Sequence, residues 1–154
     1  MPALRHRSRF GFKEFCDKNG IITAEWIKLN KKNKEQLKEL GLPLVIKPTN
    51  SGSSVDTFIV KDENALKQVN LDLLFKKYGA VLVERFIDGV EITVGVLGKE
   101  VLPVVEIQPP EGEWFNYENK YSGKTKELAP APSLTEEQKK EAQEITRKIH
   151  FGLG

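Results

Sequence analysis

The stretch Leu44-Val45-Ile46-Lys47-Pro48-Thr49-Asn50-Ser51-Gly52-Ser53-Ser54 sets one lysine at the end of an apolar strand and follows it with a loop of small polar residues. A lysine fixed near a strand end is a localised positive charge. A Gly/Ser loop lets backbone N–H groups and hydroxyls close around an anion. The pattern points to a phosphate site, with an ordinary edge hairpin as the plainer alternative. It is not a Walker loop, whose lysine follows its glycines, because Lys47 precedes Gly52.

Further along, Val81-Leu82-Val83 forms a second apolar strand that runs into Glu84-Arg85-Phe86-Ile87 and turns at Asp88-Gly89. Glu91 then opens a third strand, Ile92 to Leu97. A carboxylate can accept hydrogen bonds from ribose hydroxyls, and the backbone of a short apolar linker such as Phe86-Ile87 can read an adenine edge. Two solvated strand-end glutamates are the competing reading.

The remaining pattern alternates short helices and strands. Phe12, Phe15, Cys16 and Asn19 share one face of a helix over Phe10 to Asn19, with Gly20 in the C′ position. Ile21 to Leu29 reads as an extended connection, and Glu35 to Leu40 as a short helix stopped by Gly41. Leu44–Lys47 and Phe58–Val60 are expected as antiparallel strands, covered by one helix from Glu63 to Tyr78, with Val81–Phe86 returning to the sheet. Ile92–Leu97 and Val101–Gln108, joined at Gly98-Lys99, begin a second sheet. From Pro109 to about Pro132 no apolar period survives, so a functional loop is expected there. Ser133 or Thr135 caps a last helix in which Ala142, Ile145 and Ile149 form a stripe expected to be buried.

Composition narrows the class. With 39% apolar residues over 154 positions, and apolar runs no longer than a strand, the chain reads as globular with one core or two small lobes. No run approaches a membrane span, and the first twenty residues carry Arg5, Arg7 and Arg9 but no apolar signal segment. Cys16, as the sole cysteine, excludes an internal disulfide, and a cytoplasmic location is expected. Residues 1–40 hold ten Lys/Arg against five Asp/Glu, yet no stacking platform or nucleic-acid motif accompanies them, so no nucleic-acid partner is expected.

Taken together, these blocks resemble the ATP-grasp family, and within it the D-alanine-D-alanine ligases. The resemblance rests on Pro43-Leu44-Val45-Ile46-Lys47-Pro48 followed by Gly52-Ser53-Ser54-Val55, and on Val83-Glu84-Arg85-Phe86-Ile87 with Gly89, Glu91, Thr93 and Val94. Leu102-Pro103 before Glu106-Ile107, then Tyr117-Glu118-Asn119-Lys120-Tyr121, complete the order. It runs from about Phe10 to Gly154 and corresponds to the family's middle portion.

The resemblance implies an α+β ATP-grasp fold with one complete small lobe and the start of a second. A basic helical segment occupies 1–20, the first lobe 21–88, and a partial second lobe 89–154 with a mobile loop at about 109–132. It also implies ATP-dependent joining of two D-alanine molecules through an acyl-phosphate, for peptidoglycan precursor synthesis, cell-wall biogenesis and cell shape. Lys47 is then expected at the adenine side and α-phosphate, and Gly52, Ser53 and Ser54 at the phosphates. Glu84, Phe86 and the Ile87 backbone are expected at adenine, and Glu91 at ribose. Lys120 would approach the γ-phosphate while Tyr121 pins the loop shut by a link to Ser53, which makes Ser53, Lys120 and Tyr121 the catalytic candidates. ATP and D-alanine are the implied partners, and the open edge of the second sheet invites association into a homodimer.

Three departures accompany the match. Asp56 stands where the family has a glycine, placing an acid near a phosphate loop with the expectation of local repulsion. Ser8-Arg9 aligns with the family's Asp-Lys pair, while a later lysine is kept as Lys13. The family's magnesium-binding acids and asparagine lie past the position of Gly154 and its N-terminal lobe precedes this segment. The expectation is therefore no metal site and no turnover from this chain alone, with magnesium needed by the longer enzyme. A non-catalytic nucleotide-binding or interaction module, or an ATP-grasp ligase of other substrate, are the alternatives.

Overall fold

In the computed structural model, which describes residues 8–153, the chain forms two units divided between Ile87 and Asp88. In the first, strand β2 (Leu44–Pro48) buries Leu44, Ile46 and Pro48 and leaves Val45 and Lys47 half-covered, the period-two alternation of a pleated strand. It pairs with β3 (Phe58–Val60) on one side and β4 (Ala80–Arg85) on the other, and β1 (Trp26–Asn30) completes an antiparallel sheet of order β1-β4-β2-β3. Cross-strand partners share a face, and the registers are Ile46↔Val83, Val45↔Glu84 and Lys47↔Leu82. One face therefore gathers Leu29, Ile46, Val60, Val81 and Val83 into the core, while the other carries Lys47, Leu82 and Glu84.

The core face is covered by α2 (Leu37–Leu40), α3 (Glu63–Gln68) and α4 (Leu71–Tyr78), which contribute Leu37, Leu40, Leu71, Leu74 and Phe75. Each such side chain, fully removed from water, is worth about 1.5–3 kcal/mol. The opposite face receives α1 (Arg9–Lys18), which buries Lys13 and Cys16. Ser8 caps α1 by accepting from the Gly11 N–H at 3.1 Å, and the chain leaves it through Gly20 at φ +62°. Phe10 stacks on Trp26 of β1 with centroids 6.1 Å apart. The helix over residues 9–18 is thus built into the first unit. Arg5 and Arg7 of the basic N-terminal segment lie outside the described residues.

Two elements differ from expectation. The connection expected over Ile21–Leu29 contains β1, which pairs along its length with β4, from Trp26↔Glu84 to Asn30↔Ala80. Its strand character comes from that distant partner. The single helix expected over Glu63–Tyr78 is two, because Val69 adopts extended backbone and Asn70 recaps the chain by accepting from the Leu73 N–H at 2.9 Å.

The second unit begins with a hairpin of β5 (Glu91–Leu97) and β6 (Glu100–Gln108). Gly98, at φ +61°, takes the first turn position, which favours glycine. The register shifts between Val94 and Val96, and a Cβ on the intervening Gly95 would stand 3.2 Å from Leu102 Cδ1. Glycine at this bulge therefore lets Leu102 approach the backbone. A third strand, β7 (Lys126–Leu128), adds to β6 with Glu106 opposite Leu128.

The segment expected as an irregular loop is consequently ordered in part. Besides β7 it contains α5 (Tyr117–Tyr121), capped by Asn116, which accepts from the Asn119 N–H at 2.9 Å. The last helix, α6 (Glu136–Leu153), begins with the expected reciprocal cap: Gln138 N–H donates to the Thr135 hydroxyl at 3.3 Å, and Thr135 N–H donates to Gln138 Oε1 at 2.9 Å. Its stripe is not buried as expected. No α6 residue described is buried and Ile145 is 38% exposed, because the helix rests on a small sheet, with Gln143 donating to the Leu102 carbonyl at 3.0 Å.

Candidate functional site

In the first unit the sheet face opposite the core concentrates charge. Glu84 stands on β4 with its side chain 10% exposed, between two lysines. Lys13 Nζ, on α1, lies 2.6 Å from Glu84 Oε1 and also donates to the Ala24 carbonyl at 2.8 Å. Lys47 Nζ, on β2, pairs with Glu84 Oε2. Arg9 sits at the same end of the sheet, where its N–H donates to the Thr49 carbonyl at 3.3 Å and its guanidinium donates to the Pro48 carbonyl. Three cations therefore surround one carboxylate, and Lys47 retains 26% exposure, enough to meet a ligand.

Titration directions fit this geometry. Burial pushes the Glu84 carboxyl up, but the charge of Lys47, with hydrogen bonds from Lys13 and Lys47, overcomes it and holds the carboxyl below its usual range. Burial lowers the Arg9 guanidinium, and the field of Glu84 partly restores it.

The loop leaving β2 is built from two overlapping turns. Val55 N–H donates to the Gly52 carbonyl at 3.0 Å, and Thr57 N–H donates to the Ser54 carbonyl at 3.2 Å. The left-handed residues are Ser53, Ser54 and Asp56, not Gly52, so glycine is not supplying the unusual backbone. Asp56 does not present bare charge to the loop, as expected from sequence. Hydrogen bonds from Lys77 at 2.7 Å and from the Tyr78 hydroxyl hold its carboxyl below its usual range. At the end of the unit, Phe86 is half-buried and its N–H is spent on the Pro43 carbonyl at 3.0 Å, while Ile87 is 66% exposed.

In the second unit Glu91 opens β5, with Lys120 of α5 close enough to act on it electrostatically. Desolvation pushes the Glu91 carboxyl up, and Lys120 partly offsets this. Lys120 Nζ lies 4.9 Å from the Phe115 ring centre, and the Tyr117 and Tyr121 rings are 5.0 Å apart.

Two residues that carry no role in the sequence reading organise this unit. Asn119 is buried and donates to Glu113 Oε2 at 2.8 Å and the Trp114 carbonyl at 2.9 Å, which fixes α5 under Lys120. Glu106 is buried, accepts from Gln108 at 2.6 Å and from both the N–H and hydroxyl of Ser133, and so ties β6 to the start of α6. Both were hidden because a buried polar residue is recognisable only through its partners.

Residues 15–154 match the family model described as "D-ala D-ala ligase C-terminus". The chain belongs to the D-alanine-D-alanine ligase family. Relatives in that family include the D-alanine-D-alanine ligase of Clostridium beijerinckii, 43% identical over 112 residues, which cover 71% of this chain and 36% of that protein. The ligase of Pelagibacter ubique is 39% identical over 150 residues, covering 92% and 48%.

Among solved structures, the D-alanine-D-alanine ligase of Bacillus anthracis superposes with a TM-score of 0.76 at 32% identity, over 96% of this chain and 48% of that one. The VanG D-Ala:D-Ser ligase of Enterococcus faecalis gives 0.76 at 30%, over 97% and 45%. The mixed helix and sheet architecture is thus that of the ATP-grasp ligases, and the chain spans between about a third and a half of the length of these relatives.

Proposed function

We propose that this chain is the ATP-binding portion of a D-alanine-D-alanine ligase, and that its first unit supplies fixed positive charge for the nucleotide phosphates. The observation that carries the reading is the Lys13–Glu84–Lys47 cluster with Arg9 beside it, placed where β2 runs into the serine loop. A neighbouring family structure, from Bacillus anthracis, is complexed with ATP, which supports the choice of nucleotide.

In the proposed reaction an oxygen of one D-alanine carboxylate attacks the γ-phosphorus, the bond to the ADP oxygen breaks, and an acyl-phosphate forms. The amine of a second D-alanine then attacks the acyl carbon, phosphate leaves, and the amine gives up a proton. Catalysis of this kind is largely positioning and charge neutralisation.

Lys47 takes the adenine side and α-phosphate, and Gly52, Ser53 and Ser54 line the phosphates. Both Glu84 oxygens already hold lysines, so that residue orients them while the Ile87 backbone faces the purine edge. In the second unit Glu91 takes ribose and Lys120 follows the γ-phosphate, with Tyr121 as the residue that secures the loop. Among the described residues no three acidic, imidazole or thiol ligands gather as a metal site. On the family resemblance, magnesium is assigned to the longer enzyme, and the chemistry given to this chain is that of its lysines. A cytoplasmic location fits the reading, and no described helix is long and apolar enough to cross a membrane.

Calorimetric titration with ATP, with and without magnesium, tests the assignment. Lys47→Ala and Glu91→Ala should each weaken binding about tenfold or more, the scale of one lost charge-assisted contact. Unchanged affinity in both variants removes the nucleotide reading.

A further inference from the structure

Ser53, Ser54 and Asp56 hold φ values of +50°, +58° and +54°. For residues with a Cβ this backbone is sterically disfavoured, and it persists where surrounding contacts over-determine it. Within the loop the two turn hydrogen bonds and a 2.9 Å bond from the Ser51 hydroxyl to the Val55 carbonyl supply part of that determination. Asp56 reaches further. Its Oδ2 accepts from Lys77 Nζ at 2.7 Å and from the Tyr78 hydroxyl at 2.5 Å. Both donors occupy the last turn of α4, a helix anchored in the core by Leu71, Leu74 and Phe75.

We propose that Asp56 is a positioning residue that pins the serine loop to the C-terminal turn of α4 and holds Ser53 and Ser54 ready to receive a polyphosphate. The first half stands on the geometry of the free chain, and the second rests on the ATP reading above. A loop ordered beforehand need not be ordered at the moment of binding, so its affinity is not spent on that entropy. The clamp also neutralises an acid that would otherwise oppose an anionic ligand, because Lys77 faces the same carboxylate oxygen as Tyr78. The Lys77 ammonium further lies 5.0 Å from the centre of the Tyr78 ring, which keeps the two donors together.

Asp56→Asn tests this, because asparagine tolerates left-handed backbone but lacks the charge. A Lys77→Met/Tyr78→Phe double variant removes the donors from the opposite side. Amide hydrogen exchange of the free chain should accelerate at least about threefold at Val55 and Thr57 in both proteins, whose turn bonds report loop opening. ATP affinity should fall about three- to tenfold in the same proteins, with melting temperatures near the parent's. Unchanged exchange at Val55 and Thr57 overturns the clamp, and faster exchange with unaltered ATP affinity overturns its positioning role. If the parent chain binds no ATP, the nucleotide reading and the polyphosphate clause fail together, while the exchange result still upholds or overturns the clamp.

Discussion

Glu84 and Glu91 are the same residue type on consecutive strands, yet the two units treat them in opposite ways. Glu84 is enclosed on a sheet whose other face is a full apolar core, with a lysine at each carboxylate oxygen. Glu91 is exposed at the start of β5, in a unit whose long helix buries none of its described residues, with the charge of Lys120 acting on it. Loss of solvation raises both carboxyls, but only Glu84 has enough positive charge at hand to end below its usual range. A packed core can hold a charge cluster in place before any ligand arrives, and a half-covered sheet leaves its charges to adjust.

The widest gap between the units should appear when each acid is removed. Glu84→Ala leaves Lys13, itself 3% exposed, without its counter-ion, and should cost about 3–5 kcal/mol of first-unit stability in urea unfolding. Glu91→Ala should cost less than about 0.5 kcal/mol. Comparable losses would erase the contrast.

Packing should show the same ranking at somewhat smaller scale. Ile46→Ala opens the fully buried centre of the first unit and should cost about 2–5 kcal/mol. Ile145→Ala on α6, already 38% exposed, should cost about 1 kcal/mol or less. An Ile145 penalty as large as that of Ile46 would mean that α6 is packed as tightly as the centre of the first unit.

The smallest effect is the sharpest in sign. Because the folded Glu84 carboxyl is depressed, its contribution is present above the ordinary value of 4.5 and is lost as pH falls below it. The folded Glu91 carboxyl is raised, so its contribution is fullest below 4.5 and declines as pH rises through the interval above that value. Stability measured from pH 3 to 7 should therefore flatten on its acid side in Glu84→Gln, and Glu91→Gln should remove a shallow slope of opposite sign. Slopes of one sign at both positions would contradict the assigned directions.

Local chemistry made much of this molecule legible in the amino-acid order. The β2 alternation that sends Lys47 away from the core, the Gly98 hairpin and the Thr135–Gln138 cap are each decided within a few residues. What escaped was decided at a distance. β1 is a strand because β4 lies beside it, and β7 is three polar-leaning residues given strand form by β6. In the site, Lys47 and Glu84 could be nominated, yet their salt bridge and the role of Lys13 depend on α1 packing across the sheet. Asp56 reads in the sequence as an intruding charge because Lys77 and Tyr78 belong to a later helix.

On the proposed reading, Glu84 serves nucleotide binding by holding two lysines in position. ATP titration of Glu84→Gln, under conditions where circular dichroism shows the chain folded, tests it most directly, since the substitution removes a negative charge from the site. If simple attraction governed binding, affinity would rise. A fall of about tenfold or more is expected instead, because Lys13 and Lys47 lose their common anchor. An affinity equal to or above the parent's would contradict it.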